Sequence, residues 1–186
     1  MAKLIYATPT SLDGYIADET GDHHWAAPDE EGFAFITDVV RPIGVYLYGR
    51  KMYETMAIWE TPDVIPGRTP AMLDFARIWQ AAAKIVYSKS LETVSTPMTR
   101  LEREFDPRAV RNLKAQLPHD VSVSGPTLAA HAIQAGLVDE YHLFVVPLMI
   151  GGGKRILPGN IWVKLDLLDE RRFANGWVYL RYRTRA

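Results

Sequence analysis

The chain has 186 residues, of which 48% are hydrophobic and 23% charged, a composition typical of a globular protein with a full apolar core. Its formal net charge is −1, so electrostatics give no reason to expect nucleic acid as a partner. The sequence contains no cysteine, which excludes disulfides, thiolate catalysis and cysteine-ligated metals.

The sequence shows no targeting or membrane segment. Residues 1–10 lack the basic-then-apolar pattern of a signal peptide, and no apolar run is long enough to span a bilayer. We therefore expect a cytoplasmic protein without a membrane partner. We find no linker or internal repeat, which predicts one domain over residues 1–186. The histidines have no ligand spacing, so we expect no metal site.

The first half of the chain alternates between strand-like and helix-like segments. The apolar run at 3–8 predicts a buried strand, and the Asp-Gly and Thr-Gly-Asp turns predict a loop at 11–21. Pro28 and the acids after it predict a helix at 28–40. The elements predicted next are a strand at 44–48, a helix at 50–57, a loop at 62–69, a helix at 70–83 and a strand at 84–88.

The second half continues the alternation and ends in two strands. The predicted elements are an exposed strand at 98–105, a helix at 106–116 capped by Asp106, a strand at 121–124, a helix at 126–135, and strands at 138–147, 163–173 and 177–183. Asn175 and Gly176 between the last two strands form a strong hairpin signal. This order predicts an α/β fold with a mostly parallel sheet and an antiparallel C-terminal hairpin.

Three predicted strands end in a similar break. The residues at these breaks are Gly49, Arg50 and Lys51, then Ser88, Lys89 and Ser90, then Ser124, Gly125, Pro126 and Thr127. In open α/β sheets ligands bind outside the carboxyl ends of the strands, where small residues and helix N-termini accept an anion. An elongated, multiply phosphorylated ligand would contact all three edges. The alternative interpretation is three ordinary strand-to-helix junctions with solvated lysines.

Two further segments have both a chemical and a purely structural interpretation. Residues 151–154, Gly-Gly-Gly-Lys, permit close backbone approach to a ligand or form a flexible surface turn. Asp29 and Glu30 stand at the start of the first predicted helix, where acids usually complement the helix dipole. A buried carboxyl beside a cofactor would instead deliver or relay a proton.

Several motifs in order resemble one known family. The segments are residues 11–17 (SLDGYIA), 47–54 (LYGRKMYE), 123–128 (VSGPTL), 136–140 (GLVDE), Pro147 and 150–153 (IGGG). The set resembles the RibD C-terminal (riboflavin-biosynthesis reductase-like) family of the dihydrofolate reductase superfamily, and the resemblance runs from Lys3 to about Tyr182. It implies a dihydrofolate reductase-like three-layer fold, with a twisted sheet and helices on both faces. It also implies NADPH as hydride donor and, often, a homodimer.

The resemblance also implies roles for individual residues in holding the cofactor. Gly49, Arg50 and Lys51 would face its phosphates, and Ser88 and Lys89 would border the adenosine ribose. The residues expected at the pyrophosphate are Ser124, Gly125, Pro126, Thr127 and Leu128. The loop at 11–16, including Asp13 and Gly14, would cover the nicotinamide, and residues 151–154, including Gly152, would shape the far wall of the pocket.

For the substrate side, the resemblance points to the segment around the first helix. Trp25 and the acids after Pro28 resemble the tryptophan-proline-acid segment of dihydrofolate reductase, with either Asp29 or Glu30 as the acid. Phe33 would line the substrate pocket, and Tyr53 and Trp59 are further candidates.

We expect an NADPH-dependent reductase of a small heterocyclic substrate, with 5-amino-6-(5-phosphoribosylamino)uracil as one candidate. The chain shows no deaminase segment of the kind commonly fused to the riboflavin enzyme. The alternatives are a dihydrofolate reductase and a non-catalytic NADP-binding dimeric protein.

Overall fold

The computed structural model describes residues 1–185. The helices are α1 (Glu30–Val40), α2 (Arg50–Met56), α3 (Pro70–Ala81), α4 (Pro107–Gln116) and α5 (Pro126–Gln134). The strands are β1 (Leu4–Ser11), β2 (Tyr15–Ala17), β3 (Ile43–Gly49), β4 (Ala83–Tyr87), β5 (Thr99–Glu102), β6 (Asp120–Ser124), β7 (Glu140–Val146), β8 (Lys154–Arg155), β9 (Leu165–Arg172) and β10 (Val178–Thr184).

Eight of these strands form one sheet in the order β5-β4-β3-β6-β1-β7-β10-β9. The neighbours from β5 to β7 run parallel, whereas β10 is antiparallel to both β7 and β9. The predicted hairpin is present: Asn175 Oδ1 accepts a hydrogen bond from the Trp177 N–H at 3.0 Å, and Phe173 N–H donates to the Trp177 carbonyl. The predicted mostly parallel sheet with an antiparallel C-terminal hairpin is therefore confirmed.

Helices cover both faces of the sheet, which makes the three layers that the resemblance implied. On one face, Val110 of α4 and Leu128 of α5 pack on a cluster that includes Leu4 and Val123. On the other face, helices α1, α2 and α3 pack on strand residues that include Tyr48. Successive strand residues point to opposite faces, so the buried strands carry apolar side chains on both.

Helices α1 and α4 begin where an aspartate side chain caps them. Asp29 Oδ1 accepts a hydrogen bond from Gly32 N–H at 2.8 Å, and Asp106 Oδ1 accepts one from Arg108 N–H at the same distance. Such caps satisfy N–H groups that have no partner within the helix. The helix predicted from Pro28 therefore begins two residues later, because Asp29 is its cap rather than part of its first turn.

Several predicted boundaries differ from the structure. The predicted loop at 11–21 contains the short strand β2, which pairs with β8, and its first residue, Ser11, still belongs to β1 because it pairs in register with Val146. The predicted strand at 98–105 is limited to β5, at the edge of the sheet. Residues 57–60, which follow α2, form a 3₁₀ turn, and the predicted loop at 62–69 begins with another at Pro62–Val64.

The amino ends of β1 and β7 surround a buried carboxylate. Glu140 accepts hydrogen bonds from Lys3 Nζ at 2.7 Å and from Arg181 Nε at 2.8 Å. His142 Nε2 lies 3.1 Å from Glu140, and its Nδ1 lies 3.0 Å from the Tyr179 hydroxyl. Burial alone would raise the pKa of Glu140, but these hydrogen bonds outweigh it and lower the pKa to about 2.

Within residues 1–185, no helix combines the length and apolarity that crossing a membrane requires. The same residues contain no cluster of three or more histidine, aspartate or glutamate side chains arranged to hold a metal ion.

Candidate cofactor site

The candidate site lies where the chain leaves adjacent strands toward opposite faces of the sheet. Tyr48 of β3 and Ser124 of β6 are neighbours in register. After β3 the chain enters α2 on one face, and after β6 it enters α5 on the other. A crevice forms outside the carboxyl ends of strands at such a switch point, and it is the usual ligand site of open α/β sheets.

The first edge of the crevice is the start of α2. Gly49 is the N-cap and has no side-chain cap bond, so the first N–H groups of the helix are free of a side-chain partner. Arg50 and Lys51 are both exposed there. The guanidinium of Arg50 lies 3.9 Å from Glu54, a weak ion pair at the surface. Two exposed cations therefore stand beside a helix start that has no side-chain cap.

The second edge is the start of α5. Gly125 is its N-cap, has a φ of +91° and caps the helix with no side chain. A Cβ at Gly125 would lie 3.6 Å from the Met52 Cβ, so the two helix starts approach each other closely. Ser124 and Pro126 are half-buried and Thr127 is exposed, whereas Leu128 is buried in the core and anchors the helix. No side chain caps the first N–H groups of α5.

The third edge follows β4, the neighbour of β3. Ser88 Oγ accepts hydrogen bonds from the N–H groups of Ser90 at 3.3 Å and Leu91 at 2.9 Å, which folds the turn. Arg103 Nη1 donates to the carbonyls of Ser88 and Leu91. Lys89 is exposed and lies 3.4 Å from Glu104. The three predicted breaks thus lie side by side in the order β4-β3-β6.

Arg103 is a residue that the sequence reasoning missed. It belongs to no motif. Its role follows only from the structure, where it donates hydrogen bonds to two carbonyl groups in the turn after β4. An arginine one residue beyond the end of the edge strand is the only signal available in the sequence.

The loop after β1 is fastened to the segment after β7. The two carboxylate oxygens of Asp13 accept hydrogen bonds from Ile150 N–H at 3.3 Å and Gly151 N–H at 2.7 Å. The Ser11 hydroxyl donates to Asp13 at 2.6 Å, and this bond is the main reason why the pKa of Asp13 lies below its usual range. The carboxylate of Asp13 therefore holds the loop after β1 against the segment after β7.

Glycines allow the two segments to meet. Gly14 has a φ of +89°, and its carbonyl accepts a hydrogen bond from Ile156 N–H. A Cβ at Gly153 would lie 2.2 Å from the Ala17 carbonyl oxygen, so no larger residue fits there. Gly152 lies against the Glu19 side chain instead. The triple glycine thus forms a close contact with the loop after β1, in addition to any role in a pocket wall.

Neither candidate acid is the buried proton donor that the sequence analysis considered. Both Asp29 and Glu30 are exposed, and Asp29 is occupied as the α1 cap. Trp25 donates its indole N–H to the Asp22 carbonyl at 3.2 Å and packs against an aromatic cluster that includes Trp177. Of the two acids, Glu30 has the carboxylate that is free to meet a ligand.

Two of the four aromatic candidates, Phe33 and Trp59, lie together. The rings of Phe33 and Trp59 are 5.7 Å apart, and both contact Phe75. Tyr53 is buried, and its hydroxyl accepts hydrogen bonds from the N–H groups of Ser95 at 2.8 Å and Thr96 at 3.1 Å. Burial raises the pKa of Tyr53, but hydrogen bonds with the hydroxyl groups of Ser95 and Thr96, together with those from their N–H groups, outweigh it and leave the pKa below its ordinary value. Tyr53 thus anchors the segment after β4.

Sequence comparison shows which family the chain belongs to. Residues 2–179 match the family model of the RibD C-terminal domain. The chain belongs to the RibD C-terminal domain family. This RibD C-terminal domain is 27% identical over 193 residues to the protein YyaP of Bacillus subtilis (strain 168), covering 97% of this chain and 94% of that protein.

Solved structures with low sequence identity share the fold. A candidate riboflavin biosynthesis protein from Shewanella sp. PV-4 superposes with a TM-score of 0.74 at 17% identity over the whole of both chains. A pyrimidine reductase-like protein from Corynebacterium diphtheriae gives 0.67 at 13% identity, over 100% of this chain and 92% of that one. A Thermotoga maritima deaminase and 5-amino-6-(5-phosphoribosylamino)uracil reductase gives 0.66 at 16% identity, over 99% of this RibD C-terminal domain and 57% of that longer chain.

Proposed function

We propose that this protein is an NADPH-dependent reductase that transfers hydride to a small heterocyclic substrate. The observation that carries the proposal is the meeting of two helix starts, both without a side-chain cap, at the switch point between β3 and β6. Free N–H groups and the positive end of a helix dipole favour a phosphate, and the α5 start presents them beside Gly125. Membership of the RibD C-terminal domain family supports the same chemistry.

The charges along the crevice also suit a dinucleotide phosphate. Arg50 and Lys51 stand at one edge and Lys89 at the next, and all three are exposed on the same rim of the sheet. The guanidinium is suited to paired hydrogen bonds with phosphate oxygens. We infer that Arg50 contacts the phosphate that distinguishes NADPH from NADH, and that the N–H groups of Thr127 and Leu128 hold the pyrophosphate.

The loop after β1 would lie over the reacting end of the cofactor. NADPH, when bound, supplies the hydride. The protein's part is to fix the ring and exclude water, and the Asp13 hydrogen bonds to Ile150 and Gly151 hold the loop ready for this task. Glu30 is the acid that we assign to proton supply for the reduced product, either directly or through a water molecule.

The proposed substrate class rests on the activities by which two similar solved structures are described. Two of the similar structures are described as a pyrimidine reductase-like protein and as a 5-amino-6-(5-phosphoribosylamino)uracil reductase. A flat heterocycle also suits the wall formed by Phe33 and Trp59, because aromatic rings stack on such surfaces. We therefore propose a pyrimidine-like substrate, with the phosphoribosylamino-uracil as the first compound to assay.

Isothermal titration of the purified protein with NADPH and with NADH tests the proposal. We expect saturable binding of both, with NADPH bound at least about tenfold more tightly, which corresponds to about 1.4 kcal/mol. NADPH oxidation on addition of the uracil substrate would then establish the reaction. Absence of heat with either nucleotide would contradict the cofactor assignment, and binding without turnover would leave a non-catalytic NADP-binding protein.

A further inference from the structure

A lysine in the core of the protein forms no ion pair within residues 1–185. This residue, Lys84 of β4, is only 1% exposed. Its Nζ atom lies 3.4 Å from the carbonyl oxygen of Gln80 and 4.1 Å from the centre of the Trp79 ring. An ammonium group has three donors, and lysine is rarely fully buried unless a charged partner balances it. The balance for Lys84 therefore has to come from a group that it does not touch.

Glu60 is the opposite charge that acts on Lys84. It ends the 3₁₀ turn at residues 57–60, and its Oε2 atom is buried with no hydrogen-bond partner within residues 1–185. Burial lowers the pKa of Lys84, and the charge of Glu60 is the largest influence in the opposite direction. The two charges thus attract each other although they are not in contact, and such attraction is strong in an interior of low polarity.

Gln80, in α3, connects this pair of charges to the turn that carries Trp59. Its side-chain Nε2 donates to the carbonyl oxygens of Trp59 at 3.0 Å and Glu60 at 3.2 Å, and its own carbonyl accepts from Lys84. The turn is four residues long, and the hydrogen bonds within a 3₁₀ turn have poor geometry. The position of the turn therefore depends on these contacts from α3 and β4.

Trp59 is the point at which these contacts meet the proposed substrate site. Its ring lies 5.7 Å from the ring of Phe33 and 4.7 Å from the ring of Phe75. The rings of Phe33 and Trp59 form the wall to which we assign the heterocycle. Because Glu60 is the next residue in the chain, a movement of Glu60 away from Lys84 also moves the backbone that carries Trp59. A shift of the indole ring changes the surface on which a flat substrate stacks.

We propose that Lys84 and Glu60 are positioning residues for the substrate: the attraction between their buried charges holds the 3₁₀ turn so that Trp59 presents its ring to the heterocycle. This inference rests on the proposed function, because it takes the wall of Phe33 and Trp59 as the substrate site. In this arrangement neither charge contacts the cofactor or the reacting atoms. Loss of either charge therefore weakens the binding of the substrate and of the transition state equally, which raises KM and leaves kcat unchanged.

Two variants that remove one charge each, Lys84→Met and Glu60→Gln, and their combination test the inference. They are assayed with saturating NADPH and 5-amino-6-(5-phosphoribosylamino)uracil. Each single variant is expected to raise KM at least about tenfold, while kcat stays within about twofold of the unchanged chain. The double variant is expected to raise KM by no more than the larger single effect, because the two residues act as one pair, whereas independent residues would multiply their effects.

Lys114→Met is the matched control for the loss of a buried lysine. Lys114 is buried on the other face of the sheet, where it forms an ion pair with Asp139. Its replacement is expected to lower stability and to leave KM unchanged. A variant that only loses folded protein lowers the apparent kcat without changing KM, so a purely structural role of Lys84 or Glu60 would give this result as well.

Fluorine NMR of protein labelled with 5-fluorotryptophan gives a second measurement that needs no substrate. The resonance of Trp59, assigned with Trp59→Phe, is expected to shift in both single variants and to stay in place in Lys114→Met. The resonances of the tryptophans outside this network are expected to stay in place in all variants; these are Trp25, Trp162 and Trp177.

An unchanged Trp59 resonance in the single variants, or an unchanged KM in them, would overturn the proposal. Failure of the proposed function has a different signature, because it would be seen in the unchanged chain as an absence of NADPH binding or of turnover. In that case the Trp59 resonance alone would decide whether the two charges position the ring.

Discussion

The backbone of Gly125 lies against the side chain of Met52, with 3.6 Å between the Met52 Cβ and the position that a Cβ would take on Gly125. This contact joins the starts of α2 and α5, and Gly125 adopts a φ of +91° to make the turn. The φ explains why a glycine stands here, because other residues rarely adopt it, whereas a Cβ 3.6 Å from Met52 would make only an ordinary van der Waals contact.

Replacement of Gly125 by alanine is expected to lower the free energy of unfolding by about 1–2 kcal/mol, because a Cβ is disfavoured at this φ. It is also expected to weaken NADPH binding, since the new methyl group enters the crevice between the two helices. Thermal unfolding and titration measure the two effects. Gly49→Ala is the control for stability, because Gly49 has a φ of −76° and open space around it. Equal destabilisation by both variants would contradict this account.

Arg50→Ala is expected to weaken NADPH binding about 10- to 100-fold, because a hydrogen bond to a charged group contributes about 1.5–3 kcal/mol. Binding of NADH is expected to change far less, since NADH lacks the extra phosphate. The matched control is Arg77→Ala, which removes an exposed arginine from α3, away from the crevice. Equal losses for NADPH and NADH would show that Arg50 does not recognise the phosphate.

Glu30→Gln is expected to lower turnover and to flatten its dependence on pH, while NADPH binding stays unchanged. The change keeps the size of the side chain but removes the proton that we assign to the reaction. Glu31→Gln, one position along the same helix turn, is the control because Glu31 pairs with Arg171 on the surface. A pH–rate profile for Glu30→Gln that matches the unchanged enzyme would remove Glu30 from the mechanism.

Asp13→Ala is expected to loosen the loop after β1. The amides of Ile150 and Gly151 lose their carboxylate acceptor, so they should exchange hydrogen for deuterium faster, while the core strands keep their protection. Asp18→Ala is the control, because Asp18 accepts hydrogen bonds only within its own turn, from Thr20 and Asp22. Unchanged exchange at positions 150 and 151 would mean that Asp13 does not hold these segments together.

Glu140→Gln is expected to lower the free energy of unfolding by about 1.5–3 kcal/mol, because the buried carboxylate loses its charged hydrogen bonds with Lys3 and Arg181, which are themselves partly exposed. The folded pKa of about 2 lies below the ordinary 4.5, so the carboxylate stabilises the fold above pH 4.5 and loses this contribution as pH falls toward 2. Denaturant unfolding across this range should show a smaller acid-induced loss in the variant than in the unchanged chain. The exposed Glu92→Gln variant, as control, should follow the unchanged chain.

Nucleotide affinity gives an independent check on the same variant. Glu140 lies at the amino end of β7, whereas the crevice lies at the carboxyl ends of β3 and β6. NADPH affinity is therefore expected to stay the same at neutral pH in Glu140→Gln, and a large loss would show that the two ends of the sheet are coupled.

The fold was predictable where one local signal decides the structure. The apolar runs of β1, β3, β4 and β6, the cap at Asp106 and the Asn175–Gly176 turn all appear where the pattern indicates. The boundaries of an element differ from the prediction where a residue that is distant in the sequence, but close in space, determines them. Ser11 continues β1 because it pairs with Val146, and β2 exists only because β8 lies beside it. No local sequence pattern contains those partners.

The candidate site was predictable in its outline and not in its detail. Breaks at the ends of parallel strands share one rim of the sheet, and the order β4-β3-β6 brings the three breaks together. The roles of single polar groups depend on distant partners: Asp13 meets Ile150, and the Tyr53 hydroxyl meets Ser95. The buried group around Glu140 was not predicted either, because its cations come from both ends of the chain.

The central claim is that the starts of α2 and α5 hold the phosphates of NADPH, and a crystal structure of the protein soaked with NADPH tests it most directly. The account predicts density for the pyrophosphate at the N–H groups of Thr127 and Leu128, with the additional phosphate near Arg50. Nucleotide density away from the carboxyl ends of β3 and β6, or a crevice that stays empty at saturating NADPH, would contradict it.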